Sequence, residues 1–302
     1  MHWQITDTCN YQCEYCIDRQ FNKSYRNGFS DQKTINKVLE TILQLPGSWQ
    51  IKFGNNESTL HPRFLDICEA ISKSQHSICL ATNFSSSREK LKKLIDVCGE
   101  KLDFVTASLH VSQTDVEEFI EKSIWFNSMK NSHTQFLVTN VVTKETFNKL
   151  KHIRTKLEKQ GIELRFQILK YKDKYVAYPQ EIEEYIEDKL STNQELLRSK
   201  SFFGRECYTG NLYFVIDLNG NAYRCFGMMR DGYLGNMVKG TFARYREPTP
   251  CLALKCACAL AVDNNLVLFR ERMNIARITK YLAHSQVFDK ILLNRTIKRF
   301  LN

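Results

Sequence analysis

Over the first 170 residues, short runs of β-branched and aromatic residues alternate with helix-length amphipathic segments, and this alternation restricts the fold more than any other property of the chain. The runs are HWQIT (2–6), WQIKF (49–53), SICLAT (77–82), FVTASL (104–109), FLVTNVV (136–142) and LRFQIL (164–169). Between them, near 31–45, 62–74, 87–98, 114–129 and 144–160, apolar residues recur every three or four positions. Asp31 and Thr114 are placed as helix N-caps, and Gly161 as a stop before the sixth run. Six strands separated by five helices predict an α/β fold of parallel βαβ units, either a partial (β/α)6 TIM-type barrel or an open doubly wound sheet. In both, ligands gather at the carboxyl ends of the strands.

The chemically unusual residues fall at those ends. CNYQCEYC (9–16) follows the first strand, GNNES (54–58) the second and Asn83 the third; SLH (108–110) closes the fourth, and Asn140 lies late in the fifth. Five such placements on successive strands predict one site. Past residue 170 the character changes. Residues 171–204 read as a helical connector around EIEEYIEDKL, and 205–262 as a small cysteine-rich unit. Within that unit NLYFVIDLNGNAYRC forms a hairpin turning at Asn219-Gly220. Residues 263–302 are expected to form C-terminal helices.

No apolar run approaches the roughly 20 residues a membrane-spanning helix needs, and the amino terminus lacks the pattern of an export signal, so a cytoplasmic protein is expected. Eleven cysteines in a reducing compartment point to metal rather than to disulfides. The net charge of +10 and pI near 9.0 suit an anionic partner. The basic residues are nevertheless dispersed, and KLKKL (90–94) and TIKRF (296–300) read as solvated helix faces rather than as a nucleic-acid footprint.

Three thiols in eight residues pose a specific chemical question. A structural zinc takes four protein ligands, commonly as paired CxxC units, and here the fourth is missing unless His2 supplies it. Three thiolates on a four-iron cubane instead leave one iron open. CNYQCEYC resembles the signature of the radical S-adenosylmethionine superfamily, including Asn10 after the first cysteine and the aromatic Tyr15 before the third. The resemblance implies that Cys9, Cys13 and Cys16 hold a [4Fe-4S] cluster whose open iron binds S-adenosylmethionine. One electron from an external flavodoxin- or ferredoxin-type donor would then generate a 5'-deoxyadenosyl radical that abstracts hydrogen from substrate carbon.

FGNNESTLHP resembles the family's glycine-rich second-strand motif, which implies cofactor contacts from Gly54 and from Glu57, the latter to the methionine ammonium. Asn55 and Asn56 stand where glycines are usual, and Asn tolerates positive φ better than other side-chain-bearing residues. ATNFSS resembles the third-strand motif, with Phe84 in a glycine position, and implies a contact from Asn83; Ser108 and Asn140 are the matching candidates on strands four and five. His61 is read as a local hydrogen-bonding residue, and His110 as either structural or a proton carrier. Cys68, Cys79 and Cys98 fit apolar faces as small hydrophobes.

Cys207 and Cys225 bracket the hairpin, and Cys251, Cys256 and Cys258 follow. Their chemistry alone would also suit zinc. The C-x12-G-x4-C spacing resembles the SPASM or twitch extensions of radical S-adenosylmethionine enzymes, implying one auxiliary [4Fe-4S] cluster. Its ligands would be Cys207, Cys225 and two of the last three cysteines; the spare is either a hydrogen donor or a packed residue. Relatives of this kind oxidise or epimerise sugars and aminocyclitols, or modify ribosomal peptides. With the first strand at the amino terminus, no peptide-binding segment is expected ahead of the barrel. A small or glycosidic substrate is therefore the first expectation and a peptide the alternative. A zinc-binding, RNA-associated module and a non-catalytic relative remain as readings of other classes.

Overall fold

The computed structural model describes residues 1–16, 20, 28–171, 174–190, 201–226, 232–253 and 266–272. Six parallel strands follow one another in chain order: β1 (His2–Trp3), β2 (Gln50–Phe53), β3 (Ser77–Thr82), β4 (Leu102–Leu109), β5 (Gln135–Val142) and β6 (Glu163–Ile168). The helices between them are α1 (Gln32–Leu43), α2 (Phe64–Ser72), α3 (Arg88–Cys98), α4 (Val116–Met129) and α5 (Phe147–Glu158). The result is an α/β fold with a partial, barrel-like sheet.

Register explains which side chains face which way. Ser108 pairs with Thr139 and Thr139 with Arg165, while Leu109 pairs with Asn140 and Asn140 with Phe166. Paired residues share a face, and the faces alternate along each strand. One face carries Trp3, Ile51, Phe53, Ile78, Leu80, Val105, Ala107, Leu109, Leu164 and Phe166, all buried against Ile35, Val38, Ile42, Ile67, Leu91, Leu94 and Leu150 of the helices. Each such aliphatic or aromatic side chain contributes on the order of 1.5–3 kcal/mol when removed from water. The other face carries Lys52, Ala81, Thr106, Ser108, Thr139 and Arg165, and it is the face left for chemistry.

The helix signals are legible in the caps. Asp31 Oδ1 accepts the Thr34 N–H at 2.7 Å. In α4 the cap is Asp115, which accepts the Glu118 N–H at 2.9 Å, rather than Thr114 one residue earlier; a carboxylate is the stronger acceptor at a helix amino terminus. Gly161 takes φ +68° between α5 and β6, where the chain must leave the helix.

The cysteine-rich region does not stand beside the sheet but extends it. Val215 of β10 (Val215–Ile216) pairs parallel with His2 of β1. The antiparallel strands β11 (Asn221–Tyr223) and β12 (Tyr233–Asn236) then complete a nine-stranded sheet in the order β12-β11-β10-β1-β2-β3-β4-β5-β6. Gly220 alone supplies positive φ (+74°) in the β10–β11 turn, not Asn219 and Gly220 together. A second sheet joins β13 (Thr249–Pro250), β9 (Arg205–Cys207) and β14 (Val267–Arg272). Hence 267–272, expected within a helical tail, are extended; residues 273–302 lie outside the described residues. The strands β7 (Lys170–Tyr171) and β8 (Lys174–Tyr175) form a hairpin ahead of helix α6 (Gln180–Glu187). Among the described residues no helix is long and apolar enough to cross a membrane.

Among the described residues, three other than glycine hold left-handed backbone, and all lie in loops at the carboxyl ends of β2 and β3: Asn55 and Asn56, each at φ +55°, and Phe84 at +62°. The two asparagines keep the turn that glycines would make. Phe84 is costlier, because a bulky side chain in this region is strained by roughly 1–2 kcal/mol. Its ring offsets that cost by packing, 1% exposed, within 5.5–5.8 Å of the rings of Phe119, Phe126 and Phe136. Phe84→Ala loses the ring and keeps the strain, which costs about 3–5 kcal/mol. Phe84→Gly loses the ring and relieves the strain, so it should be the more stable of the two variants by about 1 kcal/mol. Denaturant unfolding of both checks this inversion of the ordinary Ala-over-Gly ranking.

Candidate active site

The loop carrying the first three cysteines is fastened at its base. Beyond β1 the chain pairs Thr6 with Phe29, Thr6 Oγ1 donates to Gly28 O at 2.9 Å, and Gly28 N–H donates to Asp7 Oδ1 at 2.7 Å. Cys13 is buried, whereas Cys9 and Cys16 are half-buried. Burial pushes the Cys13 thiol up to about 11 and raises Cys9, and each feels the charges of other thiols in the loop. These side chains are therefore thiols until a cation displaces their protons. Cys9 Sγ accepts the Tyr11 N–H at 3.4 Å and the Asn83 amide at 3.7 Å.

Asn83 is placed by a buried carboxylate. Glu57, with no exposed surface, accepts Asn83 N–H on Oε2 at 2.6 Å, and on Oε1 it accepts Thr82 Oγ1 at 2.8 Å and both the hydroxyl (2.5 Å) and N–H (3.2 Å) of Thr59. Burial raises its pKa, and these donors pull against that shift. The Glu57 N–H in turn donates to Thr8 O at 2.9 Å, within the cysteine loop. Asn83 Nδ2 completes the chain by donating to Asn10 Oδ1 at 2.8 Å. Glu57, the residue expected to meet a ligand's ammonium, is enclosed here by donors of the protein and joins β2, β3 and the cysteine loop.

The remaining candidates divide. Gly54 lies against its neighbours, and a Cβ there would stand 3.3 Å from Ala81 Cβ and 3.4 Å from His2 Cε1. Ser108 faces the open side of the sheet, 3.3 Å from Thr139 Oγ1. Asn140 does not join it: strand alternation turns it to the Leu109 side, where Nδ2 donates to Leu109 O at 2.8 Å and Oδ1 is buried without a partner. Thr139, which the sequence did not single out, occupies the position beside Ser108.

Tyr15 shares a hydrogen bond of 2.8 Å with Nδ1 of His110 and stacks on its ring, while Tyr11 meets the same ring edge-on. Burial lowers His110 to about 4 and raises Tyr15, so His110 is neutral and Tyr15 donates. His61, its basicity also lowered by burial, bonds Ser30 O and accepts the Arg63 N–H, as a local structural residue. His2 donates from Nε2 to Gly54 O at 3.1 Å and meets Phe226 edge-on.

Among the described residues no three Cys, His, Asp or Glu side chains converge on one ion. Thiolates on a tetrahedral zinc stand about 3.8 Å apart, whereas a cubane spreads its ligands over separate irons. Three thiols on one fastened loop, with no fourth donor closing around them, fit the cubane.

In the second group, Cys207 on β9 and Cys251 just beyond β13 are buried with Phe202 and Val267, and Cys225 is buried with Tyr213 and Val215; Ala253 and Leu266 pack against both sets. A hydrogen bond with the Cys251 thiol, followed by the charge of Arg224, lowers Cys207, and Cys251 is raised by the same partnership. Buried, charge-supported sulfurs fit an iron–sulfur centre. Cys256 and Cys258 lie outside the described residues. Cys68 and Cys98 are buried in the core as expected, whereas Cys79, also buried, pairs with Lys52 and so lies on the other face of the sheet.

Residues 3–135 match the model of the radical SAM superfamily. The cofactor-modifying protein of the tungsten-containing aldehyde ferredoxin oxidoreductase of Pyrococcus furiosus is 24% identical over 176 residues, 54% of this chain and 49% of the relative. The GTP 3',8-cyclase of Haemophilus ducreyi is 34% identical over 82 residues, 26% of this chain and 24% of that enzyme. SuiB of Streptococcus suis, bound to precursor peptide SuiA, has a similar fold, with a TM-score of 0.58 at 11% identity over 80% of this chain and 64% of SuiB. The chain spans about half the length of the first curated relative and about a quarter of the second. The stretch that matches the radical SAM superfamily model contains strands β2 to β4 and the three-thiol loop that follows β1.

The buried histidines give the site a pH signature. An unfolded histidine takes a proton below about pH 6.5, whereas His2 in the fold is held down to about 3 by burial. The stability this contributes is complete above 6.5 and is lost as pH falls toward 3. Between pH 7 and 5 the loss from His2 is about 2 kcal/mol. His2→Gln should flatten the wild-type decline by that amount in anaerobic denaturant unfolding at the two pH values.

Proposed function

We propose that this chain is a radical S-adenosylmethionine enzyme acting on a peptide, with Cys9, Cys13 and Cys16 holding a [4Fe-4S] cluster that has one open iron, and with an auxiliary [4Fe-4S] cluster on Cys207, Cys225, Cys251 and a further cysteine. The observation that carries the reading is the three-thiol loop fastened at the carboxyl ends of β1 to β3, with three sulfur donors and not four. When bound, the cluster delivers an electron to S-adenosylmethionine, and the 5'-deoxyadenosyl radical that results takes hydrogen from a substrate carbon.

The chain's own residues hold and shape that site. Glu57 fixes the backbone of Asn83, and the Asn83 amide steadies Cys9. The backbone of Gly54, Asn55 and Asn56 supplies a close-approaching turn for the cofactor's polar end. Ser108 and Thr139 offer hydroxyls on the open face, and Tyr15 stacked on His110 offers an apolar wall. The electron is supplied by a flavodoxin- or ferredoxin-type partner.

Likeness to SuiB supports a peptide in preference to the small or glycosidic substrate first expected, since that fold match carries a bound precursor peptide. The dispersed positive charge suits a peptide bearing acidic residues.

Anaerobically purified, reduced protein should contain iron and sulfide near about eight each per chain and convert S-adenosylmethionine to 5'-deoxyadenosine. Cys13→Ala should lower iron to about four and abolish that conversion while leaving the fold intact by circular dichroism. Deuterium from labelled peptide should appear in 5'-deoxyadenosine; label arriving only from sugar or aminocyclitol substrates would overturn the peptide reading. Equal conversion by wild type and Cys13→Ala would overturn the enzyme assignment.

A further inference from the structure

Arg224 is 1% exposed, among the largest fully enclosed side chains of the protein. A guanidinium keeps its charge under all ordinary conditions, and burying it is expensive. Its contacts lead to all three described cysteines of the second group. Nε donates to Thr209 Oγ1 at 3.2 Å, and that hydroxyl lies 3.1 Å from Cys207 Sγ. Either atom of that pair can donate; toward a thiolate, which has no proton, the Thr209 O–H is the donor. Nη1 donates to Pro250 O at 3.1 Å, the carbonyl immediately before Cys251. Cys225 is the next residue in the chain.

The position of the guanidinium is itself constrained. Its carbon stands 5.8 Å from the centre of the Tyr245 ring, over which the cation rests. Gly210, at φ +88°, lets that ring approach: a Cβ there would stand 2.5 Å from Tyr245 Cδ2 and 3.2 Å from Arg224 Cβ. A ring, a glycine and two hydrogen bonds thus lock one positive charge beside the β9 segment that carries Cys207 and the residue before Cys251, with Cys225 next in the chain.

We propose that Arg224, acting with Thr209, is the positioning residue of the auxiliary centre: it ties the three thiol-bearing segments together and places a fixed positive charge and a relayed hydrogen bond against their sulfurs, raising the reduction potential of the cluster held there. This rests on the reading of these cysteines as an iron–sulfur site. The direction follows from electrostatics. Reduction adds a negative charge, which a nearby cation and hydrogen bonds to sulfur stabilise.

The test compares midpoint potentials of both clusters, read by electron paramagnetic resonance at poised potentials, in wild-type, Arg224→Gln, Arg224→Lys and Thr209→Val holoprotein. Arg224→Gln and Thr209→Val should each move the auxiliary cluster to lower potential, Arg224→Gln by at least a tenfold change in the reduction equilibrium, 59 mV for one electron. Arg224→Lys, which keeps the charge, should stay closer to wild type, and the amino-terminal cluster should not move in any variant. Should Arg224→Gln not accumulate in folded form, the near-isosteric Thr209→Val carries the test by itself. An unchanged auxiliary potential in the variants that fold, or an equal shift of both clusters, overturns the proposal. A wild-type protein with about four irons and one cluster signal would instead overturn the auxiliary-cluster reading, a separable outcome.

Discussion

The hydrogen bonds of one buried carboxylate hold the front of the sheet together. Glu57 sits past the end of β2, yet its four accepted bonds come from its own loop and from the end of β3, and its backbone N–H reaches the cysteine loop beyond β1. Each bond to a charged acceptor adds about 1.5–3 kcal/mol, but the larger consequence is geometric. Parallel strands present their ends without connecting turns between neighbours, so something must fix the relative positions of three loops. Here the desolvation cost of a carboxylate is met by donors from two segments, its own loop and the end of β3, and so the carboxylate is satisfied only when both are in place. The thiols and the Asn83 amide inherit their arrangement from that condition.

The pairing of β1 with β10 is the second constraint. It adds β10, β11 and β12 to the sheet on the far side of β1, so the amino-terminal cysteine loop and Cys225 border one continuous hydrogen-bonded framework, while Cys207 and Cys251 belong to the second sheet. His2 marks the junction, bonded to Gly54 O at the cofactor-side turn and packed edge-on against Phe226, the residue after Cys225. A rigid sheet is a better ruler than a flexible linker for holding two regions at a fixed separation.

Much of this was legible in the sequence, for identifiable reasons. Period-two and period-3.6 patterns gave six strands and five helices because each element buries one face, and the cysteine spacing declared itself because three thiols so close have few other uses. What was not legible depends on register. Asn140 and Thr139 are adjacent polar residues late in one strand, and only pairing with Leu109 and Ser108 shows which of them faces the open side. Glu57 carries the right residue type at the right place, but its enclosure depends on Thr82 and Asn83, some 25 residues away in the chain. Nothing in the sequence marks Arg224, whose partners come from the segments around 209 and 250. Phe84 reads as a departure from a glycine position, and the aromatic cluster that makes it tolerable is assembled from α4 and β5.

The bonds between Thr6, Asp7, Gly28 and Phe29 bring together two points 21 to 23 residues apart, using the protein's own atoms. In small zinc modules the ion itself must gather its ligands, so folding waits on metal. Here the closure entropy of the loop is met by strand formation and two short polar bonds. A cluster held on the three thiols would therefore need only to exchange with their protons, because the two ends of the loop are already joined without it.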